Sequence, residues 1–348
     1  MILARVSVRR RRLWSEMVDY DQIIEASLLA ELAGRRIDLL VAVTPPTAAG
    51  AAGLVDACRA AGVGIGLWPM LDDRDGRWPS AVNAARFAAF CRELLVSLRA
   101  AAALPDEIAI DLEPPIGRVR ALLTGSPRAL FELPSPAGMR ALGELVLELR
   151  GASLRVSAAV TPLTVLPSAL ASRGWQHLLG TPVDGLPFDT INAMAYTSLF
   201  EGYSRCVLRR SDALAVLRAI ARTSARRWGS RAAISLGVVG LGALGDERAY
   251  RAPHELAEDV ALADAAGVEE IVLFGLDGIL ARPPRETWLD ALGGIGQAGI
   301  GRGSLRGGGT PRAHVALAAG SAIGVVAAGV GRLGRAIRRG GGSGGAAP

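Results

Sequence analysis

The sequence predicts an α/β protein, a closed parallel (β/α)8 or TIM barrel over residues 1–298 of a 348-residue chain. Short β-branched apolar runs alternate with longer Ala/Leu/Arg stretches of helical period along that whole length. Eight strand–helix units in roughly 300 residues is the proportion of a closed barrel rather than an open sheet. With 50% hydrophobic residues, the chain has the material for one large core.

The eight strands are expected at residues 2–8, 37–44, 63–70, 107–113, 154–161, 190–197, 232–239 and 269–276. Helices are expected between them, among others at 22–33, 81–102, 139–150, 212–224 and 254–266. The fourth run carries the most chemistry: Asp-Glu-Ile-Ala-Ile-Asp-Leu-Glu at 106–113, stopped by Pro114-Pro115. Strand side chains alternate, so Ala109, Asp111 and Glu113 share one face and Ile108, Ile110 and Leu112 the other. Two acids about 7 Å apart at Cα raise one another's pKa, one way to make a proton donor near neutrality.

In a barrel of this kind the site lies where strands end, on the C-terminal face. Asp111 and Glu113 end strand four there. Strand three ends in Trp68-Pro69, followed by a polar loop with Asp72, Asp73, Asp75 and Trp78. Strand six places Asn192, Met194 and Tyr196 on one parity, and strand eight ends in Phe274-Gly275-Leu276-Asp277. These residues are expected to ring one mouth. Each also has a plainer reading: an acid pair bonded to arginine, a core tyrosine, tryptophans packing the rim.

The chain contains no lysine, and its 39 basic residues are all arginine. Seven of them lie in residues 299–348, which hold no acid, leaving 32 against 33 acidic residues in 1–298. The body is near neutral, so the net charge of +6 does not indicate a nucleic-acid partner. Cys58, Cys91 and Cys206 have no metal-ligand spacing and are expected to be inert. The run Arg9–Arg12 is not followed by an apolar segment of signal-peptide length, so no cleaved signal is expected.

Beyond the barrel, residues 299–312 read as a Gly/Arg-rich linker and 332–348 as a basic, Gly-rich disordered tail. Between them, 313–331 reads as a membrane-associated helix, with a loose tail or a peripheral amphipathic segment as alternatives. Ala316, Gly320, Gly324 and Ala328 recur every fourth residue, the pattern that lets helices pack closely in a bilayer. The chain is thus expected to be cytoplasmic or tethered to a membrane by this segment.

Asp106, Asp111 and Glu113 resemble the D-x-x-D-x-D-x-E fourth strand of the chitinase-type glycoside hydrolases, family 18, with Ala109 in place of the middle Asp. Phe188 to Tyr196 is similar to that family's sixth strand with its Met-x-Tyr-Asp, Thr197 standing for the final Asp. Leu273 to Gly278 resembles the eighth strand, with Phe274 for the usual Trp. The resemblance implies a cofactor-free retaining glycosidase acting on N-acetylhexosamine glycans. It makes Glu113 the general acid and assigns Asp111 to orient the substrate's own acetamido nucleophile, an exception to the two-carboxylate scheme. Tyr196 would bond the acetamido oxygen, while Trp68 and Phe274 would offer platforms for sugar faces.

Ala109 and Thr197 leave a second reading open, a lectin-like barrel that binds glycans without cutting. A third is a metal-dependent phosphodiester enzyme using Asp111, Glu113 and the acids after strand three. The glycines of 240–245 spell G-x-G-x-x-G, but after the seventh strand and without a following helix, against a dinucleotide site. Asp72, Asp73 and Asp75 lack the bidentate acid of a calcium loop. His177, His254 and His314 fall outside the strand ends, so neither a histidine metal site nor a Ser/His/Asp triad is expected.

Overall fold

The computed structural model describes residues 9–123, 135–205, 207–241, 248–295 and 309–340. Its centre is a closed barrel of eight parallel strands, each paired with the next and β8 closing on β1. The strands are β1 Arg10–Ser15, β2 Ile37–Val43, β3 Ile65–Pro69, β4 Glu107–Leu112, β5 Arg155–Val160, β6 Thr190–Met194, β7 Ala232–Gly237 and β8 Glu270–Phe274. Seven fall where the apolar runs predict them.

The first does not. The run at 2–8 lies outside the described residues, and the strand between β2 and β8 is built from the arginine run instead. The reason is electrostatic. Arg12 points into the N-terminal end of the barrel, where its Nη1 donates to Glu107 Oε1 at 2.8 Å and to Glu270 Oε1 at 3.1 Å. Ser157 donates to the same Glu107 oxygen. Arg12, Glu107 and Glu270 are 1%, 1% and 4% exposed. Burial alone would discharge Arg12, but the two carboxylates outweigh it and raise its pKa. Burial likewise opposes charge on Glu107, and Arg12 outweighs it, holding that carboxyl below its ordinary range. Room for the guanidinium comes from Gly66 on β3: a Cβ there would lie 3.0 Å from Arg12 Nη2 and 2.6 Å from Leu40 Cδ2.

On β4 the alternation holds as expected. Ile108, Ile110 and Leu112 join the layer beneath the outer helices, and Ala109 packs inside the barrel with Trp14, Trp68 and Phe274. The barrel thus turns alternate β4 side chains toward its axis and delivers Asp111 to the C-terminal mouth.

A helix at Pro311–Gly340 follows the barrel, longer at both ends than the 313–331 expected and overlapping the segment read as a tail. Thr310 caps its start, accepting from Ala313 N at 3.1 Å. The small-residue stripe packs on the helix Ala169–Leu179 rather than on a second membrane helix. Trp175 Nε1 donates to Gly320 O at 2.8 Å, and a Cβ on Gly174 would stand 1.8 Å from Gly324 O. Small residues permit close helix approach in any solvent, so the stripe by itself did not identify a bilayer. A Cβ on Gly324 would meet Ala171 O at 2.5 Å and Trp175 Cδ1 at 2.8 Å, so Gly324→Leu is expected to lift the helix off. Limited trypsinolysis checks this: cleavage near the C-terminus should accelerate while the barrel resists as before.

Candidate active site

The mouth of the barrel holds a cavity of about 430 Å³ to which almost every strand end contributes. Trp14 and Glu16 come from β1 and the residue after it, Trp68 from β3, Asp111 and Glu113 from the end of β4, and Ala159 and Thr161 from that of β5. Met194 and Tyr196 follow from β6, Val238 from just past β7, and Phe274 from β8. The rings pack on each other, with centroids 4.8 Å apart for Trp14–Trp68, 6.5 Å for Trp68–Phe274 and 6.0 Å for Tyr196–Phe274.

Asp111 is 5% exposed, and its Oδ1 has no hydrogen-bond partner. Burial, then Glu113 and Glu16, raise its pKa well above the carboxylate range. Burial and then Glu16 push Glu113 up to about 7. Tyr196 is raised as well, by burial and the two acids, against a side-chain hydrogen bond with Ser235. Ser235 is a hub beneath the cavity: it accepts from Trp14 Nε1 at 3.0 Å and from Asn192 Nδ2 at 2.7 Å. The site therefore gathers carboxyls that favour the protonated form, one of them at the pH where it can both give and regain a proton.

The structure brings together Asp111, Glu113, Tyr196, Trp68, Met194 and Phe274 as the strand ends predict. Asn192 lies one layer lower, bound to Ser235, and does not line the cavity. Asp277 is not in the lining either. It occupies the first turn of the helix Leu276–Ala281, where its carboxyl takes backbone hydrogen bonds from Asp277 and Gly278. Its Oδ1 is buried without a partner among the described residues.

Glu16 was not among the sequence candidates. Its side chain is 3% exposed and takes a 2.6 Å ion pair from Arg77 Nη1, while Arg77 Nε holds Asp73 at 2.6 Å. Once β1 is placed at Arg10–Ser15, the alternation Arg12, Trp14, Glu16 points to it directly. Since Glu16 helps hold Glu113 protonated, Glu16→Gln is expected to lower the Glu113 pKa and move the alkaline limb of any acid-catalysed activity to lower pH. A pH profile of kcat for both proteins measures the shift.

Thr197 is not a simple loss beside Tyr196. Its hydroxyl donates to Asp259 Oδ2 at 2.5 Å and accepts from Arg210 Nη1 at 2.8 Å, in a buried network that includes Tyr250. A carboxylate thus still stands next to position 197, supplied by the helix Pro253–Ala266 and lying outside the cavity lining.

The acids after β3 are committed to arginine: Asp72 to Arg74, Asp73 to Arg77 and Asp75 to Arg86. Among the described residues no group of three His, Cys, Asp or Glu side chains is placed to hold a metal ion. Gly240 packs against Gly278, whose Cβ would lie 2.2 Å from Gly240 N, and 242–245 of the glycine motif lie outside the described residues. Burial pushes the Cys58 thiol up to about 11 and raises Cys91 too, while Cys206 lies outside the described residues.

No family model and no curated protein matches the sequence. Solved structures do. The glycoside hydrolase domain of PgaB (BpsB) from Bordetella bronchiseptica is 13% identical, covering 82% of this chain and 99% of that one at a TM-score of 0.50. The xylanase and α-amylase inhibitor protein XAIP-II from Scadoxus multiflorus is also 13% identical, covering 83% and 99% at 0.50. A class V chitinase from Nicotiana tobaccum is 13% identical, covering 82% and 99% at 0.49. At this identity the likeness is one of fold, the barrel shared by a glycoside hydrolase domain and by an inhibitor protein.

Proposed function

We propose that the chain is a divergent chitinase-type (family 18) glycoside hydrolase, cleaving N-acetylhexosamine-containing glycans by a substrate-assisted retaining mechanism. The observation that carries this reading is the pairing of Asp111 and Glu113 at the cavity, with Glu113 held up to about 7. In the proposed reaction Glu113 gives its proton to the glycosidic oxygen as the leaving sugar departs. The substrate's acetamido oxygen attacks the anomeric carbon, and Asp111 receives and orients the acetamido N–H. Tyr196 bonds the acetamido oxygen as positive charge builds on the ring it forms. Water then opens that ring, with Glu113 accepting its proton. Trp68 and Phe274 stack on sugar faces, and Met194 closes the side between them.

The test compares fluorogenic β-N-acetylhexosaminides with β-glucosides that lack the acetamido group. Turnover confined to the acetamido substrates is expected. Equal turnover of the glucosides would sink substrate assistance.

A second reading, a glycan-binding barrel without turnover, is favoured by one feature. Ala109 removes the carboxyl that would precede Asp111 on the same face of β4, and Asp111 Oδ1 is unpartnered. Binding of N-acetylhexosamine oligomers without hydrolysis at any pH from about 4 to 8 would establish it.

A further inference from the structure

The cavity has two kinds of wall. The strand ends supply its hydrogen-bonding groups and rings, whereas the segments after β4 and β6 supply Val119, Leu199, Phe200, Tyr203 and Leu208, with Ser204 between them whose hydroxyl is already bonded to Glu201 O and Leu208 N. A sugar buried against that second wall would lose the water on its hydroxyls and find almost no partner, a cost the polar wall does not impose. Such a surface complements an apolar group carried by the sugar. The apolar surface continues outward, where Tyr203 is 41% and Val207 64% exposed.

A second observation lies beside the mouth. Thr161 and Pro162 line the cavity, and a few residues on Leu163 and Leu166 lie against Gly320 of the C-terminal helix. That helix docks by its small residues together with Leu317 and leaves most of its larger apolar ones outside. Val315, Ile323, Val325 and Val326 are 68%, 51%, 41% and 66% exposed, and its stretch Pro311–Gly329 is apolar enough to cross a membrane by length and composition. The whole of residues 299–348 carries seven arginines and no acid, the complement of an anionic lipid surface. A helix held to a folded domain by one face and apolar on the other suits the plane of a bilayer rather than a crossing of it.

We infer that the substrate of this site is an amphiphile, a hexosaminide on an apolar aglycone, taken from an anionic membrane surface on which the C-terminal helix rests. The inference rests on the glycosidase reading and names its substrate class. The sugar occupies the acidic strand-end wall, and the aglycone lies along Leu199, Phe200 and Leu208. The bilayer supplies the substrate next to the mouth.

The test uses the full-length Glu113→Gln protein and methyl, butyl and octyl N-acetyl-β-hexosaminides below their micellar concentrations, with Kd measured by calorimetry. Each methylene buried is worth about four-fold in affinity, so Kd is expected to fall at least 30-fold from methyl to octyl. Phe200→Ser should flatten the series. A flat series in the unaltered wall overturns the amphiphile class. Flotation with phosphatidylcholine vesicles, with and without phosphatidylglycerol, reads the source. The chain is expected to float with the anionic vesicles and Ile323→Glu/Val326→Glu to stay behind. A chain that does not float overturns the membrane source, and a rising series then assigns a freely dissolved amphiphile. If the series rises but wild type cleaves none of these glycosides, the hydrolase reading fails while the ligand class stands.

Discussion

Glu113→Gln is expected to lower kcat on an N-acetylhexosaminide by 10²–10⁴-fold, the range a positioned general acid contributes, with KM little changed. Glutamine keeps the volume and the hydrogen-bonding reach of the carboxyl but has no proton to give. Substrate therefore still binds, and the leaving oxygen departs unassisted. The wild-type pH profile carries the same information. Glu113 must be protonated to act, so activity should fall as pH rises through about 7, and the variant's residual activity should lose that limb. The substitution also has a stability consequence with a definite sign. A carboxyl raised from an ordinary 4.5 to about 7 binds its proton more tightly folded than unfolded. Its contribution is complete below about 4.5 and is lost as pH rises through 7. Glu113→Gln should therefore melt higher than wild type at pH 8 and lose that advantage at pH 4.5, as thermal unfolding at the two pH values will show. Stability given up to hold a proton donor is what a working acid implies, and a merely structural strand-end pair would have been relieved by an arginine.

Arg12→Met is expected to cost about 3–5 kcal/mol, the usual penalty for removing one partner from a buried ion pair. Methionine fills much of the space, so a cavity is not the main cost. What remains is Glu107 and Glu270, both buried, with Ser157 and the outer arginines Arg10 and Arg155 as their partners among the described residues. The pH dependence separates this from a packing defect. In wild type, Arg12 holds the Glu107 pKa down, so that carboxylate's stabilisation is present above its unfolded value and is lost as pH falls through the folded one. Without Arg12, burial leaves the Glu107 carboxyl favouring its proton. The deficit of the variant should be largest near pH 7 and shrink toward pH 4. Urea titrations at the two pH values measure it, and a deficit that does not change with pH would point to packing instead. The triple variant Arg12→Met/Glu107→Gln/Glu270→Gln should recover most of the loss.

Most of the barrel was legible in the sequence because strand and helix leave different periods, and seven apolar runs needed only those periods to be found. β1 was hidden by its own chemistry. Four consecutive arginines, Arg9 to Arg12, read as a solvated basic run, and the far-off Glu107 and Glu270 convert Arg12 into a core residue. That one miss concealed Glu16, which the same alternation places at the mouth. Asp111 and Glu113 were legible because proline ends their strand and parity sets their face. Ser235, the hub under Tyr196 and Asn192, carries no local pattern, and neither does Asp259, which reaches Thr197 across 62 residues of chain. The stripe at Gly320 and Gly324 was visible, but what it packs against depends on Gly174, whose missing side chain matters only once the two helices meet.

The most direct test of the central claim is the anomeric form of the first product. Proton NMR during early hydrolysis of a β-linked N-acetylhexosamine oligomer by the wild-type chain distinguishes the anomers before they equilibrate. Two displacements at the anomeric carbon, the first by the substrate's own acetamido group with Glu113 as acid, predict that the β-anomer appears first. An initial α-anomer would require direct attack by water and would contradict the proposed roles of Asp111, Glu113 and Tyr196.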